Sequence, residues 1–432
     1  MVSDKIISGV ERLDTSVPVV VIAPGYHGHD IARSLGRLGV SVYGVHTDHN
    51  SPSARSRYWR RNFFWDITEP TISPEASVDW LLNLGQKFDS RPILLPTDDY
   101  SCVFVADHSD ALKESFLFPD QPPGLVRALS NKQNMYHLCK RHGIPTAETL
   151  FPQSRKDVIA FSEQVEYPVM LKGIDTLALR ARTGVKMVLV HDAKTLLQLY
   201  DEMETPESPN IMIQEYLAGG SRLIWMFDGY FNDDSECVFG ITGNKIRQYP
   251  PYRGVTSLGI CLANEVVAEQ TKAFMKAIGY RGILDIGYKY DDRTKKYKAF
   301  DANPRIGSTF RLFVDSNGLD VARTLYLDIT GQPILAGTAR EGRKWIVENF
   351  DLIASPRYWR DEKQGLLAWL ASYRGVEEAC WFASDDPRPF FSMGWASLRW
   401  AAKRAFGNEA SLEPAAGSAK GSSEKAGALA RT

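Results

Sequence analysis

The segment Phe300–Ser308 carries side chains at two-residue spacing that can bind a metal ion and a developing anion. Asp301 and Asn303 are two residues apart on a predicted strand, so their side chains face the same side. Arg305 faces that side as well if the chain stays extended. Asp285, on the preceding predicted strand, can lie opposite this group. Carboxylate and amide oxygens are ligands that suit Mg²⁺, and a guanidinium beside the ion would face a transferring phosphoryl group. The same spacing also fits a solvated hairpin with ordinary surface charge.

Two lysines earlier in the chain add the chemistry of phosphate binding. Lys132 stands at the head of a predicted helix, and Lys172 ends the apolar strand Tyr167–Lys172, where a charge is unusual unless it meets an anion or solvent. A lysine is a compact point charge suited to phosphate oxygens. Further on, Ile211–Gly220 is an apolar strand that ends in glycines, where backbone N–H and C=O groups can bind an adenine edge. Each feature alone is also common at ordinary strand and helix ends.

The composition excludes several classes of protein. The 432 residues include 51 basic and 52 acidic ones, a net charge of −1 that argues against a surface built to bind nucleic acid. The five cysteines are scattered and odd in number, which is typical of reduced thiols in a cytoplasmic protein. No window reaches the roughly 18 apolar residues of a transmembrane helix. We therefore expect a soluble cytoplasmic protein with more than one structural unit.

The order of strands and helices predicts the first domain. Residues 15–125 alternate short apolar strands with helices, the pattern of an open parallel α/β domain. The turn Pro24–Gly28 lacks the full G-x-G-x-x-G spacing of a dinucleotide site, so its glycines more simply allow a tight turn. His27 and His29, in and next to that turn, are interpreted as loop residues.

The remaining sequence predicts three further pieces. Residues 126–335 read as a mixed α+β region with antiparallel strands that ends in the hairpin Ile283–Asn303. Residues 341–406 are rich in tryptophan and in helical signals, which indicates a small helical extension. Residues 407–432 have almost no large apolar side chains, and we expect a disordered tail.

Four motifs, taken in order, resemble those of the ATP-grasp superfamily. They are N-K-(x)10-G-I-P-T at Asn131–Thr146, Y-P-V-M-L-K at Tyr167–Lys172, Q-E-Y-L-A-G at Gln214–Gly219 and F-D-A-N-P-R-I-G-S at Phe300–Ser308. An ordered set of four is far more specific than any one of them. The resemblance implies an open parallel α/β domain followed by a two-lobed ATP-grasp domain.

Within the superfamily, the sequence looks closest to predicted carboxylate–amine ligases related to D-aspartate ligase. The less specific runs Arg247–Pro251 and Arg357–Arg360 suggest this narrower resemblance. In the implied ATP-grasp domain, the lid lobe covers about 145–213 and the C-terminal lobe about 214–335.

The resemblance also implies a reaction and a role for each candidate residue. ATP would phosphorylate a carboxylate to an acyl phosphate, which an amine then attacks, with ATP and Mg²⁺ (or Mn²⁺) as cofactors. The substrates would be a small carboxylate and an amine such as an amino acid. The implied metal ligands are Asp285, Asp301 and Asn303, and Arg305 would stabilise the phosphoryl transfer. The implied nucleotide-binding residues are Lys132 and Lys172 at the phosphates, Arg182 and Thr183 in the loop over them, and Gln214, Glu215, Tyr216 and Leu217 at the adenine.

Two departures from the family pattern keep other functions open. The family usually has Glu two residues beyond Asp285, where this sequence has Gly287. The family's phosphate-binding loop is normally rich in glycine, but the corresponding residues 173–184 of this sequence contain little glycine. A nucleotide-binding protein without ligase turnover is therefore one alternative. Another is a carboxylase of the biotin-carboxylase type, in which bicarbonate is the phosphorylated acid, although the further substrate motifs of that family are not apparent.

Two further arginines, Arg253 and Arg311, are candidates for binding the substrate carboxylate. A guanidinium matches a carboxylate with two parallel hydrogen bonds. Both residues also fit ordinary surface positions.

Residues 390–406 form an amphipathic basic segment. Phe391, Trp395 and Leu398 recur at helical spacing, with Arg399 beside them. Such a helix can lie on an anionic membrane surface. Apolar stripes more often face protein, so packing on the body of the chain or on the second subunit of a homodimer is the simpler interpretation.

Overall fold

The computed structural model describes residues 13–205, 207, 209–252, 254–361 and 365–406. The candidate Arg253 and the predicted tail 407–432 lie outside these residues. The described residues form two compact units: the first holds the chain up to Arg127, Gly220–Gly287 and the residues from Ala302 onward, and the second holds Ala128–Gly219 and Tyr288–Asp301. In this part of the chain, no helix is both long and apolar enough to cross a bilayer.

Strands and helices alternate along the chain. The strands are β1 (Val19–Ile22), β2 (Val42–His46), β3 (Trp59–Phe64), β4 (Ile93–Pro96), β5 (Thr149–Leu150), β6 (Val169–Gly173), β7 (Met187–Val190), β8 (Ile211–Glu215), β9 (Ile224–Phe231), β10 (Cys237–Tyr249), β11 (Val255–Cys261), β12 (Gly282–Asp291), β13 (Lys296–Asn303), β14 (Lys344–Ile346) and β15 (Val376–Ala379). The helices are α1 (Gly28–Gly36), α2 (Pro74–Gly85), α3 (Asp99–Asp107), α4 (Ser109–Leu112), α5 (Leu125–Ser130), α6 (Lys132–Arg141), α7 (Arg155–Ser162), α8 (Thr176–Thr183), α9 (Ala193–Met203), α10 (Glu265–Ile278), α11 (Val321–Ile329), α12 (Glu348–Asp361), α13 (Leu366–Ser372) and α14 (Arg388–Phe406).

A four-stranded parallel sheet in the order β3-β2-β1-β4 confirms the predicted open α/β fold. Its strand β1 is packed on both faces: Val19 and Val21 belong to one hydrophobic core, and Val20 and Ile22 belong to another. A continuous apolar run is the sequence pattern of such a strand. The turn after β1 therefore lies at the carboxyl end of the sheet.

A seven-stranded sheet has the order β13-β12-β9-β10-β11-β14-β15. Strand β10 pairs antiparallel with β9 and β11, as the predicted α+β pattern requires. Strands β14 and β15 come from residues 341–406, for which the sequence predicts helices; β14 pairs antiparallel with β11 and parallel with β15. The predicted helical extension is confirmed in α12, α13 and α14, and the same segment also completes this sheet.

The second unit contains an antiparallel sheet in the order β5-β8-β6-β7. The segment 173–184 is predicted to be a loop, and this is wrong because most of it forms α8. The Asp175 carboxylate accepts the backbone N–H of Ala178 at 3.0 Å and caps the helix, while Leu179 is buried in the core of the unit. The capping bond and the burial of Leu179 therefore stabilise a helix where the sequence suggested a loop.

Two helices, α5 and α6, follow each other here, and α6 begins at Lys132 as the sequence predicts. The Asn131 side chain accepts the backbone N–H groups of Gln133 and Asn134, both at 3.0 Å. These bonds satisfy two donors that a helix start leaves without partners. A new helix therefore begins at Lys132 and fixes the position of that side chain.

Candidate active site

Lys172 projects from the sheet of the second unit. Its strand β6 pairs with β8, so that Met170 stands opposite Gln214. Lys172 Nζ donates to Gln214 Oε1 at 2.8 Å, and Gln214 Nε2 donates to Thr149 Oγ1 at 2.8 Å. A neutral amide thus orients the ammonium group, and its positive charge can still serve an anion.

Lys132 reaches the end of the same strand from the first turn of α6. Its Nζ donates to the carbonyl oxygen of Ile174 at 3.0 Å and to Thr176 Oγ1 at 2.8 Å. The chain directly after β6 therefore holds the second ammonium group.

The pKa of Lys172 shows that the charges of this unit act on one another. It is lowered to about 8, first by burial and then by the positive charge of Lys132, while the Asp301 carboxylate opposes the change. Interactions between charges are significant only at short range in a solvated protein. The structure therefore brings Lys132, Lys172 and Asp301 together, as the sequence predicts. Two neighbouring ammonium groups favour a bound anion, because the anion offsets their repulsion.

The predicted adenine segment Gln214–Leu217 is held partly by ion pairs. The Glu215 carboxylate accepts a hydrogen bond from Lys298 Nζ at 2.8 Å, with both side chains buried. The Lys289 ammonium lies 5.7 Å from the centre of the Tyr216 ring. The Glu215 side chain therefore belongs to the fold, and adenine binding by the segment stays a prediction.

Arg182 and Thr183 lie in the last turn of α8 instead of in a loop. Arg182 Nη2 donates to the Met203 carbonyl oxygen at 2.6 Å, and the guanidinium also bonds to Thr205. Thr183 Oγ1 donates to the Leu179 carbonyl oxygen at 2.8 Å. Both side chains stabilise their own unit in this arrangement, and phosphate binding by them stays a prediction.

In the first unit, Asp285 and Asn303 lie on the adjacent strands β12 and β13. Asn303 Nδ2 is 3.4 Å from Asp285 Oδ2, and Arg305 Nη2 donates to Asn303 Oδ1 at 3.2 Å. Arg305 Nε also donates to Asp99 Oδ1 at 2.6 Å. The predicted arginine is thus bonded to one predicted metal ligand, Asn303, which lies beside a second, Asp285.

The oxygen donors of these residues fit Mg²⁺. A Cβ atom at Gly307 would lie 2.6 Å from the Asp285 carboxyl group, so the carboxylate occupies space that glycine leaves open. For Asn303 Oδ1 to face an ion beside Asp285, the amide would have to turn over, which would give up the hydrogen bond from Arg305 to that oxygen. On β13, Asp301 is exposed and Ala302 is buried, which places Asp301 on the same strand face as Asn303.

The substrate role predicted for Arg311 is wrong, because a buried ion-pair network occupies the guanidinium. Arg311 is 3% exposed. Its Nε and Nη2 donate to the two carboxylate oxygens of Glu378 at 2.9 and 2.8 Å, and Nη1 bonds to Asp320. Burial raises the pKa of Glu378, but Arg311 and then Arg343 outweigh it and bring the pKa down to about 2. Arg311 therefore stabilises the first unit.

The chain is similar in sequence to a known ligase and in structure to a solved one. No protein-family model matches the chain. The D-aspartate ligase of Enterococcus faecium (strain Aus0004) is 25% identical over 240 residues, which make up 54% of this chain and 57% of that enzyme. The alignment therefore spans less than two thirds of the relative. The solved L-amino acid ligase of Bacillus licheniformis superposes with a TM-score of 0.55 at 14% identity, covering 73% of this chain and 75% of that one.

The chain has the ATP-grasp fold. A biotin carboxylase domain dimer of Hydrogenobacter thermophilus 2-oxoglutarate carboxylase, solved with MgADP, ADP and bicarbonate, has a TM-score of 0.58 at 12% identity, covering 77% and 74%. These relatives and neighbours are ATP-grasp ligases, which confirms the resemblance given by the four motifs. The roles of the individual site residues stay predictions.

His27 is a buried residue beside the site that was not identified from the sequence. Neither ring nitrogen of His27 has a hydrogen-bond partner. Burial lowers the pKa of His27 to about 3, with a contribution from the Arg305 charge, so the ring is neutral at physiological pH. A histidine in a turn at the carboxyl end of a parallel sheet was the available signal, because ligands bind at that end of such sheets.

Asp228 was missed as well. It lies on β9, next to β12 in the sheet, with a side chain that is fully buried and has no hydrogen-bond partner on either oxygen. Burial raises the pKa of Asp228 well above its usual range, and the negative charge of Asp285 adds to the effect. The signal was an aspartate inside the apolar run Trp225–Phe231, where an unpaired carboxylate is costly.

Proposed function

We propose that this chain is an ATP-dependent carboxylate–amine ligase, which activates a carboxylate as an acyl phosphate and joins it to an amine. The observation that carries the proposal is that Lys132 Nζ is bonded to Ile174 and Thr176 directly after β6, the strand that carries Lys172, and that the Asp301 charge acts on the same lysine. The names of two similar proteins, D-aspartate ligase and L-amino acid ligase, support an amino acid as one substrate.

The lysines perform the electrostatic part of the proposed reaction. The ammonium groups of Lys132 and Lys172 bind phosphate oxygens of ATP and offset the charge that spreads over them during transfer. Asp301 offsets part of the repulsion between the two lysines, and a bound phosphate would offset more of it.

Side-chain oxygen atoms would bind the metal ion of the proposed reaction. Asp285, Asp301 and Asn303 would hold Mg²⁺ or Mn²⁺, and the ion would neutralise the phosphates of ATP. The complex of a neighbour with MgADP supports magnesium. Arg305 donates to Asn303 and Asp99, and we assign it the stabilisation of the acyl phosphate.

A screen of ADP release tests the proposal. Pairs of amino acids, dicarboxylates and amines are added with MgATP, and hydroxylamine replaces the amine in a parallel arm. A ligase gives ADP that depends on the carboxylate, together with a hydroxamate. Nucleotide-dependent thermal stabilisation without ADP in any arm would instead support a binding protein and contradict turnover.

Single variants connect the activity to the site. Lys172→Ala and Asp301→Ala should each lower kcat at least a hundredfold while leaving the melting temperature nearly unchanged, because electrostatic groups at a phosphoryl transfer typically contribute that much. Lys194→Ala is the matched control, an exposed lysine on α9 of the same unit, and it should keep full activity. Wild-type ADP release by both site variants would show that the residues are wrongly assigned.

Bicarbonate distinguishes carboxylation from amine ligation. A biotin carboxylase domain is among the structural neighbours, so the screen includes bicarbonate with and without biotin. ADP release that requires bicarbonate and no amine would favour the carboxylase. Amine-dependent release without bicarbonate favours the ligase.

The proposal also places the enzyme in the cytoplasm, which is supported by all five cysteines being free. The dimeric neighbour makes a homodimer a further expectation, which light scattering of the purified chain measures directly.

A further inference from the structure

Helix α14 turns an apolar face outward. Phe391, Trp395 and Leu398 follow at four- and three-residue spacing along one side and are 67%, 66% and 66% exposed. Pro389 and Met393, on the opposite side, are buried, and Met393 belongs to the hydrophobic core of the first unit. The simpler interpretation of the sequence, in which this stripe packs on the body of the chain, is therefore wrong for these three residues.

Positive charge borders the same face. Arg388 and Arg399 are exposed along one flank of the stripe, and Lys403 and Arg404 follow in the sequence of α14, which contains no Asp or Glu. An apolar helix face with cations beside it is the pattern of a helix that lies in the headgroup region of an anionic bilayer. Trp is enriched at that depth, and Trp, Phe and Leu are typical of the apolar face of such helices.

Aromatic rings extend this face into the segment before the helix. Phe382 is half exposed and meets Phe390 edge to face at 5.6 Å, and Phe390 meets Phe391 in the same way at 5.7 Å. The apolar surface is therefore longer than the three residues of the helix alone.

A second copy of the chain fits this face less well. Pairing about a two-fold axis through α14 would bring the cations of one copy against the same cations of the other. The three side chains of the stripe and Phe382, at roughly 150–250 Å² each and about one half to two thirds exposed, offer about 400–600 Å², compared with about 800 Å² per partner in a stable interface. A bilayer needs no matching partner surface and attracts the cations.

We propose that α14 docks the chain on an anionic phospholipid surface. Phe391, Trp395 and Leu398 enter the boundary between headgroups and acyl chains, and Arg388 and Arg399 pair with lipid phosphates. The attachment is peripheral and reversible, because a single short stripe supplies the apolar contact. It holds whether or not the chain has ligase activity.

Sedimentation of the full chain with phospholipid vesicles tests this proposal. The wild type should sediment with vesicles that contain phosphatidylglycerol and remain in solution with phosphatidylcholine alone. Trp395→Glu should lower the partition coefficient at least tenfold, and Arg399→Gln should lower it about fivefold, the effect of one cation near an anionic surface. Leu367→Glu on α13 is the matched control: Leu367 is 80% exposed in the same unit, and its variant should bind like the wild type.

Several results would overturn the proposal. These are a wild type that ignores anionic vesicles, a Trp395→Glu variant with unchanged binding and an unchanged circular dichroism spectrum, or a Leu367→Glu variant that loses as much. Light scattering adds one more, since a dimer that becomes a monomer on Trp395→Glu would assign the face to a second copy.

Discussion

Raising the pH from 7 to 9 should weaken ATP binding through the titration of one side chain. The pKa of Lys172 is about 8, so roughly nine tenths of its ammonium groups are charged at pH 7 and one tenth at pH 9. A phosphate bound to the ammonium favours the charged form, so the affinity is present below the pKa and is lost as the pH rises through it. If only the charged form binds, the apparent KM for ATP should rise about tenfold across this range.

The matched control is Lys172→Arg, because a guanidinium remains charged throughout the range. Steady-state ADP release is measured for both proteins with the other substrates saturating, and their ratio removes the ionisation of the nucleotide itself. The wild type should lose affinity relative to the arginine variant as the pH rises. A ratio that does not change between pH 7 and pH 9 would refute the assignment of Lys172 to the phosphates.

Further predictions concern stability and metal binding. Arg311→Met leaves the buried carboxylate of Asp320 and the part-buried carboxylate of Glu378 without this partner and should lower the free energy of unfolding by about 3–5 kcal/mol, measured by urea denaturation; an unchanged midpoint would contradict the structural role. Because the pKa of Glu378 is lowered from 4.5 to about 2 in the fold, its contribution is present above pH 4.5 and disappears towards pH 2. Wild-type stability should therefore fall more steeply over that range than the stability of Arg311→Met, and parallel slopes would count against the ion pair. Gly307→Ala places a methyl group 2.6 Å from the Asp285 carboxyl group and should raise the Mg²⁺ concentration for half-maximal ADP release at least tenfold, at a nearly constant melting temperature; wild-type magnesium dependence would show that this carboxylate does not hold the ion.

The fold could be predicted where sequence pattern and local structure have the same cause. The apolar run that forms β1 is buried on both faces of a parallel sheet, and alternation along β13 places Asp301 and Asn303 on one strand face. The position of Lys132 at the head of a helix was also predicted and is confirmed in α6, which the Asn131 side chain caps. Strands β14 and β15 were missed because their short segments carry no period that distinguishes them from a helix.

The candidate site could be predicted only in part, because the partners of each side chain come from distant segments. Lys172 was identified by its position at the end of an apolar strand. Arg311 forms an ion pair with Glu378, which lies 67 residues further on, and nothing in the local sequence indicates this pairing. The burial of His27 and Asp228 likewise depends on tertiary packing that a single sequence does not show.

The most direct test of the account is a calorimetric measurement of MgADP binding by the wild type, Lys132→Ala, Lys172→Ala and the double variant. Each single variant should bind MgADP at least tenfold more weakly, and the loss of binding free energy in the double variant should differ from the sum of the two single losses because the two ammonium groups interact. Equal affinity of all four proteins for MgADP would contradict the claim that these lysines converge on the phosphates of a nucleotide.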